Sequence, residues 1–325
     1  MRRALITGIS GQDGSYLSEL LLEKGYQVHG FVRRTTIENP RHRLNRLPSD
    51  LIDNLSLHIG SLESYPSLQE CVRQAQPDEI YHLAACSFVS YSMEEESSTL
   101  HLNLTGTHHL LSAASQWAPQ CRFYFAGSSE MFGNATECPQ DEKTPFQPRS
   151  VYGISKLSGY HLVRNYRLNH GLHACTGILF NHESPRRGFE FVTRKITYGV
   201  ARIKVGLDNR LELGNLDAER DWGHSRDYVA AMWLMLQQEE LEDYVVATGI
   251  PHSVRSFCKL AFAHVGLDYK DYVVTNKTFF RASESTPLIG NPKKAESELG
   301  WKAETSFEQM ISEMVEADLA ELRRP

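Results

Sequence analysis

The chain reads as an α/β protein, a doubly wound parallel sheet with a smaller, interleaved C-terminal α/β lobe. Three observations predict this. Strand-like and helix-like segments alternate through the first half of the 325 residues; a glycine-rich turn follows the first strand directly; and beyond Asn181 the rhythm breaks into polar loops between helices. Repeated alternation favours right-handed crossovers and a parallel sheet covered on both faces. The length suits a large domain plus a smaller one, with residues 1–180 forming the sheet domain and 181–325 mainly the second lobe.

In order, residues 4–7 form a short apolar run, the first strand. The stretch 15–24 is patterned as a helix, Gly25 stops it, and 26–32, with β-branched and aromatic residues, is the second strand. Residues 55–59 are a third strand, and 65–76 a helix that ends before Pro77. Strands at 79–83 and 122–126 are separated by a long helical stretch at 96–117, and a helix at 151–170 leads into a strand at 174–180. Past Asn181, polar loops containing Pro and Arg (182–188 and 215–225) alternate with helices at 192–205 and 228–238. Residues 244–248 could return to the first domain, and no repeat, low-complexity stretch or linker interrupts the chain.

About 41% of residues are hydrophobic and 23% charged, ordinary for a soluble enzyme. The formal net charge is −6, from 34 basic and 40 acidic side chains, so the chain as a whole has no attraction for nucleic acid or an anionic membrane. An anionic ligand needs a local basic cluster. Cys71, Cys86, Cys121, Cys138, Cys175 and Cys258 form no C-x-x-C pair or zinc-site spacing, the histidines form no metal pattern, and no metal is expected. His108 and His109 fall in a helix, His182 in a polar loop. The first residues run straight into a strand with no signal-peptide stretch, and no window approaches the roughly 18 apolar residues that span a bilayer. A reduced, cytoplasmic chain is expected, with the sequons at Asn103, Asn134 and Asn276 arising by chance.

Thr7-Gly8-Ile9-Ser10-Gly11-Gln12-Asp13-Gly14 gives G-x-x-G-x-x-G at the head of a βαβ unit. Glycines there permit a tight turn and let backbone approach a pyrophosphate, which the first amides of the next helix then face. Three glycines alone could be an ordinary turn; their place between a strand and a helix predicts the dinucleotide turn of a Rossmann-type sheet. An acid at the end of the second strand would hold the ribose hydroxyls of NAD; here the strand ends Phe31-Val32-Arg33-Arg34, with Arg41, Arg43 and Arg46 following. A guanidinium pair suits a 2′-phosphate, so NADP is the cofactor expected.

Tyr152-Gly153-Ile154-Ser155-Lys156 puts Tyr and Lys on one helix face. A nearby ammonium favours the phenolate, which predicts a Tyr152 able to act as acid/base near neutral pH. With Ser128, Ser129 and Glu130 after the fifth strand, these motifs resemble the extended short-chain dehydrogenase/reductase family. Longer strings resemble the GDP-mannose 4,6-dehydratases: Gly11-Gln-Asp-Gly-Ser-Tyr-Leu, Ser129-Glu-Met-Phe-Gly, Gly177-Ile-Leu-Phe-Asn-His-Glu-Ser-Pro-Arg-Arg-Gly, Phe191-Val-Thr-Arg-Lys-Ile and Arg220-Asp-Trp-Gly. The resemblance runs from residue 4 to about 320, and the Asn-His-Glu-Ser-Pro-Arg-Arg string is its most specific part.

The resemblance implies a redox-neutral dehydration of GDP-mannose to a 4-keto-6-deoxy sugar nucleotide, with a hydride lent to NADP from C4 and returned at C6. Tyr152 is implied as base at O4, tuned by Lys156, which also binds the nicotinamide ribose. Ser128 is implied to bond the O4 region and Glu130 to be acid/base for C5 and C6. The implied cofactor-binding set is Gly8, Gly11, Gln12, Asp13, Gly14, Arg33, Arg34, Leu62, Tyr152, Lys156 and Arg186. The implied substrate set is Ser87, Ser128, Glu130, Asn181, Lys195, Gly214, Asn215, Arg220, Arg281 and Glu284, with Asn181 and Arg220 near the diphosphate. The resemblance implies that the loop with Glu183 and Arg186, together with the arginine-rich loop after the second strand, helps build a cofactor site shared between subunits, and so a homo-oligomer, a tetramer or a dimer. Alternatives are another nucleotide sugar such as a GDP-heptose, a 4-epimerase or 4-reductase on the same scaffold, against which Glu130 argues, and an idle NADP-binding protein, against which the four catalytic positions together argue.

The chain departs from the family pattern at four places. Ser128 replaces a frequent Thr and keeps the hydroxyl. Ser61 in Gly60-Ser61-Leu62 stands where an Asp normally accepts from the adenine amino group. Cys86 stands where a larger polar residue is common and reads as a small buried hydrophobe. Arg281-Ala-Ser-Glu284 replaces Arg-Pro-Ala-Glu and keeps both charged ends.

Overall fold

The computed structural model describes residues 1–37, 43–47, 52–88, 92, 94–279 and 287–323, without the side chains of Ile37, Asn45 and Arg46. The first half runs β1 (Arg3–Thr7), α1 (Gln12–Glu23), β2 (Gln27–Val32), a single turn α2 (Arg34–Ile37), β3 (Leu55–Ile59), α3 (Tyr65–Ala75) and β4 (Glu79–His82). It continues with α4 (Glu96–Leu100), a π turn (His101–Thr105), α5 (Gly106–Trp117), β5 (Arg122–Ala126), α6 (Val151–Asn169) and β6 (His173–Leu179).

These strands form a seven-stranded parallel sheet in the order β10-β6-β5-β4-β1-β2-β3, where β10 is Tyr244–Val246. Residues 244–246 thus rejoin the first sheet on its far edge, beside β6. The order reverses between β1 and β4, whose registers match Ile6 to Tyr81 and Thr7 to His82. Such a switch point opens a crevice at the carboxyl ends of the strands. Both faces of the inner strands are apolar because both are covered, whereas β3 at the edge is largely exposed. Leu17 and Leu21 of α1 pack with Met232 and Leu236 on one side, and Val72, Leu110 and Leu111 cover the other.

After β6 the chain adds β7 (Asn181–Glu183), α7 (Val192–Lys204), β8 (Leu211–Leu213), β9 (Glu219–His224) and α8 (Ser225–Gln237), which packs back on α1. Beyond β10 come β11 (Pro251–Ser253), α9 (Val254–His264), β12 (Val273–Thr275), α10 (Lys293–Leu299), which returns to the core of the first sheet, and α11 (Phe307–Leu322). A separate core joins Ile196, Val200, Phe257, Phe262, Met310 and Met314, with the Trp222 ring stacked on Phe307 at 6.1 Å.

Two expectations change. The loops anticipated at 182–188 and 215–225 contain β7 and β9, which pair in a three-stranded sheet β11-β9-β7. Asn-His-Glu is poor strand-forming sequence; pairing and burial of His182 and Glu183 override that preference. The helical stretch 96–117 is interrupted by the π turn, which points Asn103 into the protein interior. Among the described residues, no helix is long and apolar enough to cross a membrane.

Candidate active site

The crevice begins at the glycine turn. Gly8 has φ +74°, and a Cβ there would lie 2.8 Å from the Ala84 backbone nitrogen, against the end of β4. A Cβ on Gly14 would lie 2.3 Å from the Gly8 carbonyl oxygen, and one on Gly11 3.0 Å from the same atom. The turn closes through the Gly11 amide donating to the Gly8 oxygen at 2.9 Å. Helix α1 then opens at Gly11 with no side-chain cap on its first amides. A turn that admits only hydrogen at Gly8 and Gly14, is crowded at Gly11, and leads into uncapped helix amides fits a dinucleotide pyrophosphate.

Gln12 and Asp13 reach away from this turn to β7. Gln12 Nε2 donates to the His182 carbonyl at 3.0 Å, Ser184 Oγ donates to Gln12 Oε1 at 2.8 Å, and His182 Nε2 meets Asp13 Oδ2 at 2.9 Å. Arg186 lies over the Tyr16 ring at 3.9 Å and pairs with Glu19 at 2.6 Å. Arg33 and Arg34 are exposed at the end of β2. Arg43 bonds the Ser10 and Arg186 carbonyls, whereas Arg41 and the Arg46 side chain lie outside the described residues. After β3, Leu62 is buried and its carbonyl accepts from His109 Nδ1 at 3.1 Å, while Ser61 Oγ turns to Glu63 at 3.4 Å.

Ser128, Glu130, Tyr152 and Lys156 converge where β5 ends and α6 begins. Ser128 caps the short turn 129–131, its Oγ accepting from the Glu130 amide at 3.2 Å. Ser150 caps α6 by accepting from the Gly153 amide at 3.0 Å, which sets the helix start and so the direction of Tyr152. A Cβ on Gly153 would lie 2.5 Å from the Glu130 carbonyl oxygen, so glycine lets α6 approach the Glu130 turn. Glu130 is half-buried, and its charge acts on the phenol of Tyr152.

In this structure Tyr152 is held as a phenol, away from the ammonium expected to tune it. Burial pushes its phenol up to about 12; a hydrogen bond with Ser128 pulls against this and the Glu130 charge adds to it. Lys156 is buried too, which lowers its ammonium to about 8, and Nζ donates to the Ala126 carbonyl at 2.8 Å, with 5.9 Å between Nζ and the centre of the Tyr152 ring. The four-residue spacing put both groups on one face but did not aim the ammonium at the phenol oxygen.

Cys86 is half-buried rather than a core hydrophobe, and burial raises its thiol. Its backbone is fixed by Asn103, whose Oδ1 accepts from the Cys86 amide at 2.8 Å and whose Nδ2 donates to Ser155 Oγ at 2.9 Å. Asn103 therefore ties the loop after β4 to α6. Its π-helical setting is invisible to a periodicity of 3.6. Ser87, next along this loop, is exposed.

On the substrate side, Asn181 and Arg220 lie on neighbouring strands, with Asn181 in register with Trp222. Arg220 Nη1 donates to the Glu219 carbonyl at 2.6 Å. Asp221, fully buried, accepts from the Thr248 amide and hydroxyl and from the Gly249 and Gly290 amides; it pins two loops beside Arg220 and received no role from the sequence. A second group lies around Phe279. Lys195 Nζ is 4.0 Å above its ring, a Cβ on Gly214 would lie 2.6 Å from its carbonyl oxygen, and Asn215 Oδ1 accepts from the Asp217 amide at 2.9 Å. Arg281 and Glu284 lie outside the described residues. Among the described residues no group of His, Cys, Asp and Glu could hold a metal ion.

Comparison with known proteins agrees with this arrangement. Residues 5–314 match the family model described as GDP-mannose 4,6 dehydratase. GDP-mannose 4,6 dehydratase 1 of Arabidopsis thaliana is 50% identical, the match covering 99% of this chain and 91% of that protein. The human GDP-mannose 4,6 dehydratase is 44% identical, with 98% and 92% covered. The solved structure of the dTDP-glucose 4,6-dehydratase DesIV from Streptomyces venezuelae shares the fold, with a TM-score of 0.84 at 24% identity over 98% of this chain and 96% of that one. A match from the first strand into the last helix, at such identity to proteins of nearly the same length, places this chain in the GDP-mannose 4,6-dehydratase family.

Proposed function

We infer that this protein is a nucleotide-sugar 4,6-dehydratase that works with NADP and converts GDP-mannose to GDP-4-keto-6-deoxymannose with loss of water. The observation that carries the reaction type is Glu130, held by the Ser128-capped turn within electrostatic reach of Tyr152 at the end of β5. An epimerase needs no carboxylate there; a dehydratase needs one to handle the C5 and C6 protons.

The Gly8, Gly11 and Gly14 turn would hold the NADP pyrophosphate, and Arg33 and Arg34 the 2′-phosphate, with Leu62 and Lys156 along the rest. The hydride taken from C4 and returned at C6 is the chemistry that the nicotinamide supplies when bound. Tyr152 accepts the O4 proton while Ser128 hydrogen-bonds that oxygen. The resulting 4-keto group acidifies C5–H; Glu130 takes that proton and delivers it to the departing C6 hydroxyl, which leaves as water, and Tyr152 returns the O4 proton to C5 as C6 receives the hydride, which restores both residues. A phenol at about 12 is a poor partner for this exchange at neutral pH, so Lys156 must release the Ala126 carbonyl and turn its charge toward the phenol oxygen. Asn181 and Arg220 bind the diphosphate, Ser87 faces the sugar, and Lys195, Gly214 and Asn215, with Arg281 and Glu284, serve the nucleoside.

We take residues 181–325 as mainly the substrate lobe. We also read the protein as a homo-oligomer, a tetramer or a dimer, a reading supported by apolar Leu100, Ile154 and Phe189 at the surface. Six free thiols suit a reducing, cytoplasmic setting. The test is to incubate the protein with GDP-mannose without added reductant and follow product mass. Loss of one water with no net NADPH is the expected result; unchanged mass, with turnover of another nucleotide sugar, would overturn the substrate.

A further inference from the structure

Two of the strings that carry the family likeness, Gly11-Gln-Asp-Gly and Asn181-His-Glu-Ser, meet side chain to side chain although 169 residues separate Asp13 from His182. The protonation state of His182 follows from its partners. Nδ1 lies 2.7 Å from the Phe180 carbonyl, which can only accept, and Nε2 lies 2.9 Å from Asp13, which its surroundings favour in the ionised, acceptor-only form. With Asp13 ionised both ring nitrogens donate, and the ring is an imidazolium. It stacks flat on Tyr228 at 4.5 Å and is nearly closed to solvent, its side chain 10% exposed. Asp13 sits in the first turn of α1, beside the amides that the glycine turn leaves uncapped. A bare carboxylate there would repel the phosphates those amides bind.

We propose that His182 is a positioning residue whose positive charge neutralises Asp13, so that the glycine turn receives a dinucleotide pyrophosphate without an opposing carboxylate, and that the same pair registers the strand bearing Asn181 against the cofactor turn. The proposal rests on the NADP reading above. It explains why Gln12 and Asp13 accompany the glycines: Gln12 adds two hydrogen bonds across the same junction. Burial alone would pull the imidazolium down, but the charge and hydrogen bond of Asp13 outweigh it and hold His182 above its ordinary value. Asp13 is held below its own, burial being outweighed by His182.

The test measures NADPH affinity by fluorescence titration in the wild type, H182Q, D13N and the D13N/H182Q double variant, with circular dichroism to verify folding. In D13N the amide can donate to a neutral imidazole, so the geometry survives while both charges go. H182Q should weaken binding about tenfold or more at pH 7.5, because it strands a carboxylate beside the phosphates. D13N should weaken binding far less, and the double variant should recover most of what H182Q loses. The wild-type affinity should fall as pH rises through the elevated His182 value, more steeply than in D13N. Tyr124 on β5, Tyr152 and Lys156 on α6, Arg187 after β7 and Tyr228 on α8 also face the pair. They are common to both proteins, so the difference between the two profiles isolates the pair. If H182Q does not fold, that difference still decides. D13N as damaging as H182Q, a double variant no better than H182Q, or parallel pH profiles would each overturn the proposal. A wild type that binds neither NADPH nor NADH would overturn the cofactor reading and this inference with it.

Discussion

Asp221→Asn should loosen the substrate lobe where it meets the sheet. Asp221 Oδ1 accepts from the Thr248 amide at 2.9 Å and its hydroxyl at 2.6 Å, and Oδ2 accepts from the amides of Gly249 at 2.9 Å and Gly290 at 3.1 Å. Asparagine offers one oxygen; with it toward the Gly249 and Gly290 amides, its NH2 faces the Thr248 hydroxyl, which can turn to accept, and the Thr248 amide, which cannot. One charge-assisted bond at roughly 1.5–3 kcal/mol is lost and the two kept at the oxygen lose their charge assistance, while relief from burying a charge offsets part of this, leaving a net loss of about 1–3 kcal/mol. Urea unfolding of the variant beside the wild type measures it. Arg220 precedes Asp221 on β9, so KM for GDP-mannose should rise more than kcat falls. A loss under about 1 kcal/mol with KM unchanged would refute the claim that this carboxylate frames the diphosphate end.

Glu130→Gln should abolish water loss from GDP-mannose and leave NADP binding nearly intact; normal turnover would remove the assignment of the base. Arg33→Ala with Arg34→Ala should weaken NADP much more than NAD, measured by titration of both, and an equal loss would sink the 2′-phosphate argument. Lys156→Met should abolish activity and show a signature in stability. Burial lowers Lys156 from its usual 10.5 to about 8, so between those values the unfolded chain binds the extra proton and the wild type gains stability as pH rises. The wild type should therefore gain up to about 3 kcal/mol relative to the variant across that window, and a constant gap in urea unfolding would contradict a buried lysine of this kind.

The parts of this protein legible in its sequence are those encoded by neighbours along the chain. The glycine turn, the strands of the first sheet and the Tyr152–Lys156 spacing rest on local periodicity and on glycine sterics, and the structure has them at the end of β1, in one parallel sheet and on one helix face. What was illegible depends on residues distant in sequence. β7 and β9 are polar strands that exist because they pair with each other. Asp221 gains its role only through loops at 248–249 and 290. Asn103 acts through a π turn, and His182 looked like an ordinary loop histidine until Asp13 was found opposite it. The hydrogen bond that Lys156 makes was illegible for a related reason: spacing reports which face a lysine occupies, not which acceptor its ammonium chooses.

β10 bears on how the chain must be synthesised. It covers the outer edge of β6, yet it emerges from the ribosome only after residues 180–243 have been made. Until then a nascent chain holding the glycine turn and the Tyr152 helix carries a buried-type apolar strand with one side unpaired, the kind of edge that recruits other chains. A fragment ending at residue 180 should therefore self-associate rather than persist as a free module, and a cut at that point should not divide the chain into two independent cassettes.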